Sequence, residues 1–349
     1  MSKTKLNTVI FGLGRIASLL ESDPYRKKPC THAGVIFSPW GKKRFQFLTG
    51  FDLKEDRVRA FQTQWKTRAE LFGTINPKHW DKNLVQSVDL AVIATPSAQH
   101  ESIARFCIQS GVKHLLIEKP VALEKKGAER LQKLAEGSRA KIWVNHERRY
   151  HPSYQFVRDG LGAGKYGEVM SVRCSVFTSA KNPGLAFEKV GGGPLLHDGT
   201  HILDLVQWMF GKPKLVDAEV WRPSPKSLES RAWARFQGKN GEAIFVDVSG
   251  GREYFQFEMD IHTTSHRLIC SNDGFQFFES KPSKLYKGFQ SLLPFQPKGF
   301  PNPETSNAFI GIYDEIHRVF SQKTQKLEGT ISDNIDILDM IESIYRRKK

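Results

Sequence analysis

A glycine turn directly follows the first apolar run of the sequence. Gly12 to Ala17 (GLGRIA) has the pattern G-x-G-x-x-A and comes after the predicted strand Leu6 to Phe11. The first glycine permits a tight turn, the second lets the backbone approach a diphosphate, and the small third residue lets helix and strand pack closely. The helix expected next, over Arg15 to Glu21, would direct backbone N–H groups at the ligand. This turn predicts a dinucleotide site.

A carboxylate ends the second apolar run. Asp52 follows the predicted strand Arg44 to Phe51, where it would accept hydrogen bonds from ribose hydroxyls and repel a 2′-phosphate. It lies well beyond the roughly 20 residues that usually separate it from the glycines, so a segment around Asp23 to Trp40 is inserted. NAD is therefore favoured over NADP, but Lys54 and Arg57 could still accommodate a phosphate.

Two more polar segments follow apolar runs. Thr95 to His100 (TPSAQH) follows the predicted strand Val88 to Ala94, and Glu118-Lys119-Pro120 follows Lys113 to Ile117. Ligands bind at the carboxyl ends of parallel strands, where a lysine could hold a substrate hydroxyl or shuttle its proton. The competing interpretation of Lys119 is an ordinary surface lysine in a turn before a proline.

Two histidines follow a triple glycine at Gly191 to Gly193. His197 and His201 are four residues apart and would share one face of a helix. Acid–base chemistry suits a side chain that titrates near neutrality. A zinc site is the second interpretation, although no H-E-x-x-H motif or cysteine pair accompanies the histidines, and we expect no metal. A buried structural histidine is the third.

The first part of the chain alternates strand and helix patterns, which is typical of parallel βαβ units. We predict an α/β architecture, with a doubly wound Rossmann sheet over residues 1–150. An α+β domain with a mostly antiparallel open sheet would follow over residues 151–349. The other elements predicted for the first domain are the helices Asp56 to Trp65, Gln99 to Gly111 and Glu124 to Ala135, and the strand Ala140 to Asn145.

The second part shows short apolar runs separated by turn residues, a pattern typical of antiparallel strands. The predicted strands are Glu168 to Val176, Leu215 to Trp221, Ser230 to Phe236, Ala243 to Ser249, Phe255 to His262 and His266 to Ser271. Lys281 to Asn307 is rich in proline and is predicted to be a long loop. Helices are predicted over Gly199 to Trp208, Phe309 to Ser321 and Ser332 to Arg346, and the last two could pack back on the first domain.

The composition narrows the class of partner. Lys and Arg number 52 against 37 Asp and Glu among 349 residues, a net charge of +15 that attracts polyanions. The basic residues are dispersed, however, and no apolar run approaches the roughly 18 to 20 residues of a membrane span. We therefore expect neither a nucleic acid nor a membrane partner. Four scattered cysteines and an N-terminal apolar stretch without a cleavage site predict a soluble cytoplasmic protein.

Taken together, these motifs resemble the glucose-fructose oxidoreductase, inositol dehydrogenase and rhizopine-catabolism (Gfo/Idh/MocA) family of NAD(P)-dependent dehydrogenases. The glycine turn, the T-P-x-x-x-H segment, E-K-P and the G-G-G…H-x-x-D helix occur in the family's order through about residue 210. The later strands and helices fit the family's second domain. The combination is far more specific than any one motif.

The resemblance implies a set of cofactor-binding residues along the first domain. The dinucleotide phosphates would be surrounded by Gly12, Gly14, Arg15 and Ile16, and the ribose would be bound by Asp52. The cofactor cleft would be lined by Thr95, Pro96 and His100, and the nicotinamide would lie near Glu118 and Lys119. It also implies a cis peptide bond between Lys119 and Pro120.

The resemblance further implies which residues meet the substrate. Lys119 and His201 would bind the reacting carbinol and transfer its proton, and Arg149 and Tyr150 match a segment that reaches toward substrate. His197 occupies a position where many members carry aspartate. It is a further catalytic candidate, and Asp198 could partly substitute for that aspartate in binding substrate. The inserted segment Pro29 to Gly34 could close over the cofactor.

The expected activity is hydride transfer between nicotinamide and a secondary hydroxyl or ketone of a sugar, a sugar derivative or a cyclic polyol. The basic surface hints at a nucleotide sugar, a sugar phosphate or an acidic sugar. An NAD-dependent glycosidase that uses transient oxidation and a non-catalytic dinucleotide sensor are the alternatives. The open sheet of the second domain predicts a homo-oligomer, either dimer or tetramer.

Overall fold

The computed structural model describes residues 5–74, 82–179, 192–224, 227–302, 305–324 and 327–347. The chain forms two compact units. The first contains Met1–Tyr150 and Asn307–Ile335, and the second contains His151–Ser306 and Asp336–Lys349. The last helix therefore contributes residues to both units.

A six-stranded parallel sheet forms the centre of the first unit. Its strands are β1 (Leu6–Phe11), β2 (Phe45–Phe51), β3 (Leu71–Phe72), β4 (Leu90–Ile93), β5 (His114–Ile117) and β6 (Lys141–Val144). They pair in the order β3-β2-β1-β4-β5-β6, the doubly wound arrangement of a Rossmann sheet. β4 is buried along its whole length, as expected for a parallel strand covered on both faces. The predicted fold class of this unit is confirmed.

Helices cover this sheet and complete its core. They are α1 (His32–Phe37), α2 (Glu55–Trp65), α3 (Lys82–Ser87), α4 (His100–Gln109), α5 (Lys125–Ser138) and α9 (Ala308–Phe320), together with the first residues of α10 (Ile331–Arg346). Helix α9 places Ile312, Tyr313 and Ile316 in the same hydrophobic cluster as Leu6 and Ile10 of β1. A segment from the end of the sequence thus completes the first unit.

The predicted helix over Arg15 to Glu21 is wrong. Turns follow Gly14, and a single 3-10 turn covers Leu19–Ser22. The carbonyl oxygens of Ile16 and Ala17 instead accept hydrogen bonds from the N–H groups of His32 and Ala33, at 3.2 and 2.8 Å. The N–H groups of α1 therefore take the hydrogen-bonding places that the next turn of a continuous first helix would have filled. The inserted residues separate the glycine turn from α1.

An eight-stranded sheet forms the second unit. Its strands are β7 (Val169–Ser179), β8 (Lys214–Trp221), β9 (Arg231–Gln237), β10 (Ala243–Arg252), β11 (Gln256–Thr263), β12 (His266–Ser271), β13 (Gly274–Pro282) and β14 (Gln290–Pro294). The order is β14-β13-β12-β11-β7-β10-β9-β8, and every neighbouring pair is antiparallel except β7 with β10. The predicted, mostly antiparallel sheet is confirmed.

One correction concerns the edge of this sheet. The predicted loop Lys281 to Asn307 contains β14, which pairs with β13. β14 is an edge strand with largely exposed residues, so it lacks the apolar alternation that marks a half-buried strand. The helices of this unit are α6 (Pro152–Gly162), α7 (Pro194–His197), α8 (Gly199–Phe210) and the remainder of α10. None of the helices within the described residues combines the length and the apolarity that a bilayer crossing requires.

Candidate active site

The carboxyl ends of the Rossmann strands bring the predicted residues of the first unit into one row. Each residue that follows a strand donates its backbone N–H to the last carbonyl of a neighbouring strand. The contacts are Gly12 to Phe51, Ala94 to Phe11, Glu118 to Ile93 and Asn145 to Ile117, at 2.7 to 2.9 Å. The glycine turn, the T-P segment and E-K-P therefore share one edge of the sheet, where such sheets bind ligands.

Gly12 has no room for a side chain. Its φ is +84°, and a Cβ atom there would lie 2.5 Å from the carbonyl oxygen of Ala94. Only glycine combines this backbone conformation with so close an approach. The turn between β1 and the insertion is therefore fixed against the end of β4.

Asp52 braces this turn from the second strand. Its carboxylate accepts the backbone N–H of Leu13 at 2.8 Å and that of Lys54 at 2.9 Å, and it lies 3.5 Å from the Arg57 guanidinium. A carboxylate has about four acceptor positions, so it retains capacity for ribose hydroxyls. Arg57 also passes within 3.2 Å of the position that a Cβ of Gly14 would occupy. A cation thus stands over the glycine turn.

His100 connects the T-P segment with E-K-P. One ring nitrogen lies 2.8 Å from the carbonyl oxygen of Thr95, and the other lies 2.8 Å from that of Pro120. Burial lowers the pKa of His100, and the two carbonyl acceptors work against that effect. The imidazole therefore holds the two segments together. The predicted cis peptide bond between Lys119 and Pro120 is confirmed.

Glu118 anchors a buried polar chain at the tip of β5. Its Oε1 lies 2.9 Å from Nε2 of His32 and accepts a hydrogen bond from Nδ2 of Asn145 at 2.6 Å. The other ring nitrogen of His32 lies 2.9 Å from the Tyr313 hydroxyl. Burial alone would raise the pKa of Glu118, but the contacts with His32, Asn145 and the Lys119 charge outweigh it and lower the pKa.

Lys119 is half-buried beside this carboxylate. Its positive charge contributes to lowering the pKa of Glu118 and of His100. The partial burial of Lys119 differs from the full exposure expected of an ordinary surface lysine, and its catalytic role stays a prediction.

The edge of the first unit fits a dinucleotide. The buried hydroxyl of Thr95 and the side-chain oxygen of Asn145 lack a hydrogen-bond partner within the described parts of the chain, which suits a ligand rich in polar groups. The Asp52 carboxylate suits a ribose diol, and the Arg57 cation suits a phosphate. Arg15 is exposed and Ile16 is half-buried at the turn, and Pro96 lies between Thr95 and the 3-10 turn Ser97–Gln99.

Arg149 and Tyr150 lie in the first unit, with partners from the end of the sequence. The Arg149 guanidinium lies 3.1 Å from the Asp333 carboxylate, and the Tyr150 hydroxyl donates to the carbonyl oxygen of Glu328. Both side chains are buried. These contacts hold Asn307–Ile335, the later part of the sequence in this unit, in place. The substrate-binding role of Arg149 and Tyr150 stays a prediction.

The two positions before α7 require glycine, because their backbone has positive φ and, at Gly193, a buried carboxylate leaves no room for a side chain. Gly192 and Gly193 have φ values of +78° and +97°, and a Cβ on Gly193 would overlap the Glu229 carboxylate. Oε1 of Glu229 accepts the N–H of Leu195 and the hydroxyl of Tyr345, both at 2.9 Å. Gly191 lies outside the described residues. Glu229 and Tyr345 therefore fix the entry to the predicted histidine pair.

Both histidines lie at a break between two helices. α7 ends at His197 and α8 begins at Gly199, with Asp198 between them. Nδ1 of His197 lies 2.9 Å from the Asp198 carboxylate, and the N–H of His201 donates to the Asp198 carbonyl at 3.2 Å. Asp198 therefore pairs with His197, and its expected part in place of the family's aspartate stays a prediction. Within the described chain, no group of three or more potential metal ligands occurs.

Replacing Glu229 with glutamine should change how stability depends on pH. Burial raises the pKa of Glu229, so the folded state favours its protonated form. The stability that this proton contributes is complete below the usual carboxyl pKa and is lost as pH rises through the folded pKa. Thermal unfolding from pH 4 to 8 should show a midpoint that falls with pH more steeply for the native protein than for Glu229→Gln. Parallel curves would contradict this expectation.

Sequence analysis did not single out His32, Asn145 or Tyr313 as site residues. Asn145 could have been found, because it ends the predicted strand Ala140 to Asn145 at the ligand-binding edge. The contact between His32 and Tyr313 joins residues that are far apart in the sequence, and no spacing rule reveals it.

Comparison with known proteins extends these observations. The chain is 32% identical over 115 residues to the UDP-N-acetylglucosamine 3-dehydrogenase of Acidithiobacillus ferrooxidans, covering 33% of this chain and 34% of that protein. It is 31% identical over 166 residues to inositol 2-dehydrogenase 1 of Saccharopolyspora erythraea, covering 47% and 46%. The chain thus matches less than half the length of these two relatives.

A solved structure shows the same fold. The WlbA dehydrogenase from Bordetella pertussis, crystallised with NADH and UDP-GlcNAcA, superposes with a TM-score of 0.73 at 17% identity, covering 98% of this chain and 96% of that one. Residues 6–146 match the model of an oxidoreductase family with an NAD-binding Rossmann fold, and residues 154–269 match the GFO/IDH/MocA C-terminal domain. The two matches together cover more than half of the sequence, and the chain belongs to the GFO/IDH/MocA family of oxidoreductases.

Proposed function

We propose that this chain is an NAD(P)-dependent dehydrogenase that acts on a secondary hydroxyl or ketone of a sugar, a sugar derivative or a cyclic polyol. The observation that carries the proposal is the position of Lys119. It follows β5 on the edge that also carries the glycine turn and Asp52, and it is half-buried beside an acceptor carboxylate. A proton-transferring amine at the cofactor edge is what oxidation of a carbinol needs.

The residues divide the work between binding and proton transfer. Nζ of Lys119 would hold the substrate hydroxyl and accept its proton, and the His201 imidazole is proposed to share this role. His197 and Asp198 would orient the substrate, and Arg149 and Tyr150 are proposed as further substrate contacts. When bound, the nicotinamide supplies hydride transfer, so the protein's own contribution is orientation and electrostatics.

NAD is the proposed cofactor in preference to NADP. Asp52 is positioned to accept ribose hydroxyls and would repel a 2′-phosphate. Arg57 offsets part of that repulsion, because its guanidinium lies 3.5 Å from the carboxylate. We therefore expect NADP to bind more weakly than NAD.

The substrate class is proposed from the chemistry and from the names of the relatives. The net charge of +15 favours an anionic sugar, and one relative is a UDP-N-acetylglucosamine 3-dehydrogenase. Another is an inositol 2-dehydrogenase, which extends the class to cyclic polyols.

A substrate panel tests the proposal. The purified protein is incubated with inositols, neutral sugars, sugar phosphates and nucleotide sugars, with NAD and NADP in parallel, and formation of reduced cofactor is followed by absorbance. We expect net reduction with at least one panel member and faster turnover with NAD. Product release without net cofactor reduction would support the glycosidase instead. Cofactor binding without turnover of any panel member would support the sensor.

We also propose that the chain forms a homo-oligomer in the cytoplasm. The sheet of the second unit exposes Met170 and Phe245 and also carries the ion pair of Arg231 with Asp247, a mixture that suits a protein interface. All four cysteines are free thiols, as is usual in a reducing compartment. Sedimentation velocity would measure the assembly state.

A further inference from the structure

A buried chain of four polar side chains ends next to Lys119. It runs from the Tyr313 hydroxyl through both ring nitrogens of His32 to Oε1 of Glu118, which also accepts a hydrogen bond from Asn145. His32 and Tyr313 are 0% exposed, Asn145 is 1% exposed and Glu118 is 8% exposed. Burying polar groups is costly unless they are hydrogen-bonded, so these mutual contacts are needed to keep the four side chains in the core of the first unit.

The elements that carry these groups come from distant parts of the sequence. His32 is the first residue of α1, in the region inserted between the glycine turn and β2. The insertion is fixed by the Glu21 carboxylate, which accepts hydrogen bonds from the Cys30 N–H at 3.0 Å and the Thr31 hydroxyl at 2.8 Å. Asn307, at the start of α9, donates to the Pro29 carbonyl at 2.9 Å. These contacts leave the His32 ring little freedom to move.

The ionised carboxylate fixes the direction of one of these hydrogen bonds. A carboxylate only accepts, so Nε2 of His32 donates to Glu118. The other ring nitrogen, Nδ1, lies 2.9 Å from the Tyr313 hydroxyl. Burial raises the pKa of Tyr313 well above its usual value, so the phenol stays protonated.

We propose that His32 is a positioning residue that keeps the Glu118 carboxylate ionised and directed beside Lys119. Without a donor from His32, a carboxyl group so deeply buried would take up a proton, and Lys119 would lose its negative neighbour. The inserted segment therefore sets the charge next to the lysine that we propose for proton transfer. The catalytic consequence rests on the proposed function, whereas the ionisation of Glu118 does not.

The groups that set this charge come from each element that meets the carboxylate. His32 comes from α1, Asn145 follows β6, Lys119 is the next residue in the chain, and His100 begins α4 close enough to respond to both charges. Burial lowers the pKa of His100, and its two carbonyl contacts oppose that effect. The ring nitrogens of His100 face these carbonyl oxygens, and Lys119 is the cationic residue next to Glu118 in the sequence.

Infrared difference spectroscopy of protein labelled with ¹³C-glutamate tests the proposal without any substrate. In the native protein Glu118 should stay ionised between pH 6 and 9. His32→Leu should show the band of a protonated, buried carboxyl group in this range, and the band should vanish in the double variant His32→Leu/Glu118→Gln. His32→Gln retains an N–H donor and should restore the native spectrum. A His32→Leu spectrum identical to the native one would overturn the proposal.

Kinetics separates this proposal from the proposed function. With a substrate from the panel, Glu118→Gln and His32→Leu should each shift the pH profile of kcat/KM to lower pH, because both remove the negative charge next to the residue proposed for proton transfer. The double variant should show no further shift. Absence of activity with every panel substrate, together with the expected infrared bands, would reject the dehydrogenase and uphold the role of His32. If instead the native protein is active and neither single variant shifts the profile, the link to Lys119 is overturned.

Discussion

Replacing Lys119 with alanine should lower turnover by about 10²- to 10⁴-fold, the range that a positioned acid–base group contributes. Lys119 is half-buried at the tip of β5, and its sequence neighbours Glu118 and Pro120 carry no amine that could replace it. Binding of reduced cofactor should change little, since the glycine turn and Asp52 are untouched. Steady-state kinetics with a panel substrate and a fluorescence titration with NADH measure the two quantities.

Two variants serve as controls for this result. Lys113 lies just before β5, at the opposite end of the same strand, and is exposed. Lys113→Ala should therefore keep native turnover. Lys119→Arg keeps the positive charge but cannot release a proton near neutral pH, so it should lose activity as alanine does. Near-native turnover of Lys119→Ala with intact cofactor binding would end the assignment of this residue.

Replacing Gly12 with alanine should impair both stability and cofactor binding. The backbone at φ +84° strains any side chain, and the added Cβ would lie 2.5 Å from a backbone oxygen that cannot move aside without disturbing β4. Strain of this kind costs roughly 1–3 kcal/mol, and the overlap adds to it. We expect a lower unfolding midpoint and an NADH affinity reduced at least tenfold.

Gly73 provides the matched control. It has no heavy atom within 4 Å of its Cβ position and no positive φ in the strained range. Gly73→Ala should therefore retain native stability and NADH affinity. If Gly12→Ala unfolds at the native midpoint and binds NADH normally, the turn does not have the tight geometry described above.

Much of the first unit could be predicted from the sequence because its strands are buried on both faces. Continuous apolar runs such as Val88 to Ala94 and Lys113 to Ile117 predict such strands directly, and the structure shortens the first by three residues and the second by one. The two-residue strand Leu71–Phe72 is too short for any pattern. The helix after the glycine turn was wrong because the insertion interrupts it, and propensity does not reveal where an interrupted helix resumes.

For the site too, residues marked by a local sequence pattern could be predicted, and those placed by long-range packing could not. Asp52, Thr95 and Lys119 could be identified because each follows a strand, and the topology of a parallel sheet brings strand ends together. The chain through His32 and Tyr313 depends on how α1 and α9 pack. The role of Glu229 depends likewise on its contact with Tyr345, from the far end of the sequence. Such long-range contacts carry no local signal.

The first unit is formed by two separate stretches of the sequence, Met1–Tyr150 and Asn307–Ile335, and this affects its folding during synthesis. Trp143, at the edge strand β6, donates its indole N–H to Glu315 at 2.8 Å, and the N–H of Val144 donates to the Gly329 carbonyl at 3.0 Å. Synthesis from the N-terminus delivers the six sheet strands long before these partners leave the ribosome. These two contacts of the nascent sheet therefore cannot form until Glu315 and Gly329 have emerged. A fragment that ends at residue 150 would lack both partners and would leave this flank of the sheet, at β6, uncovered.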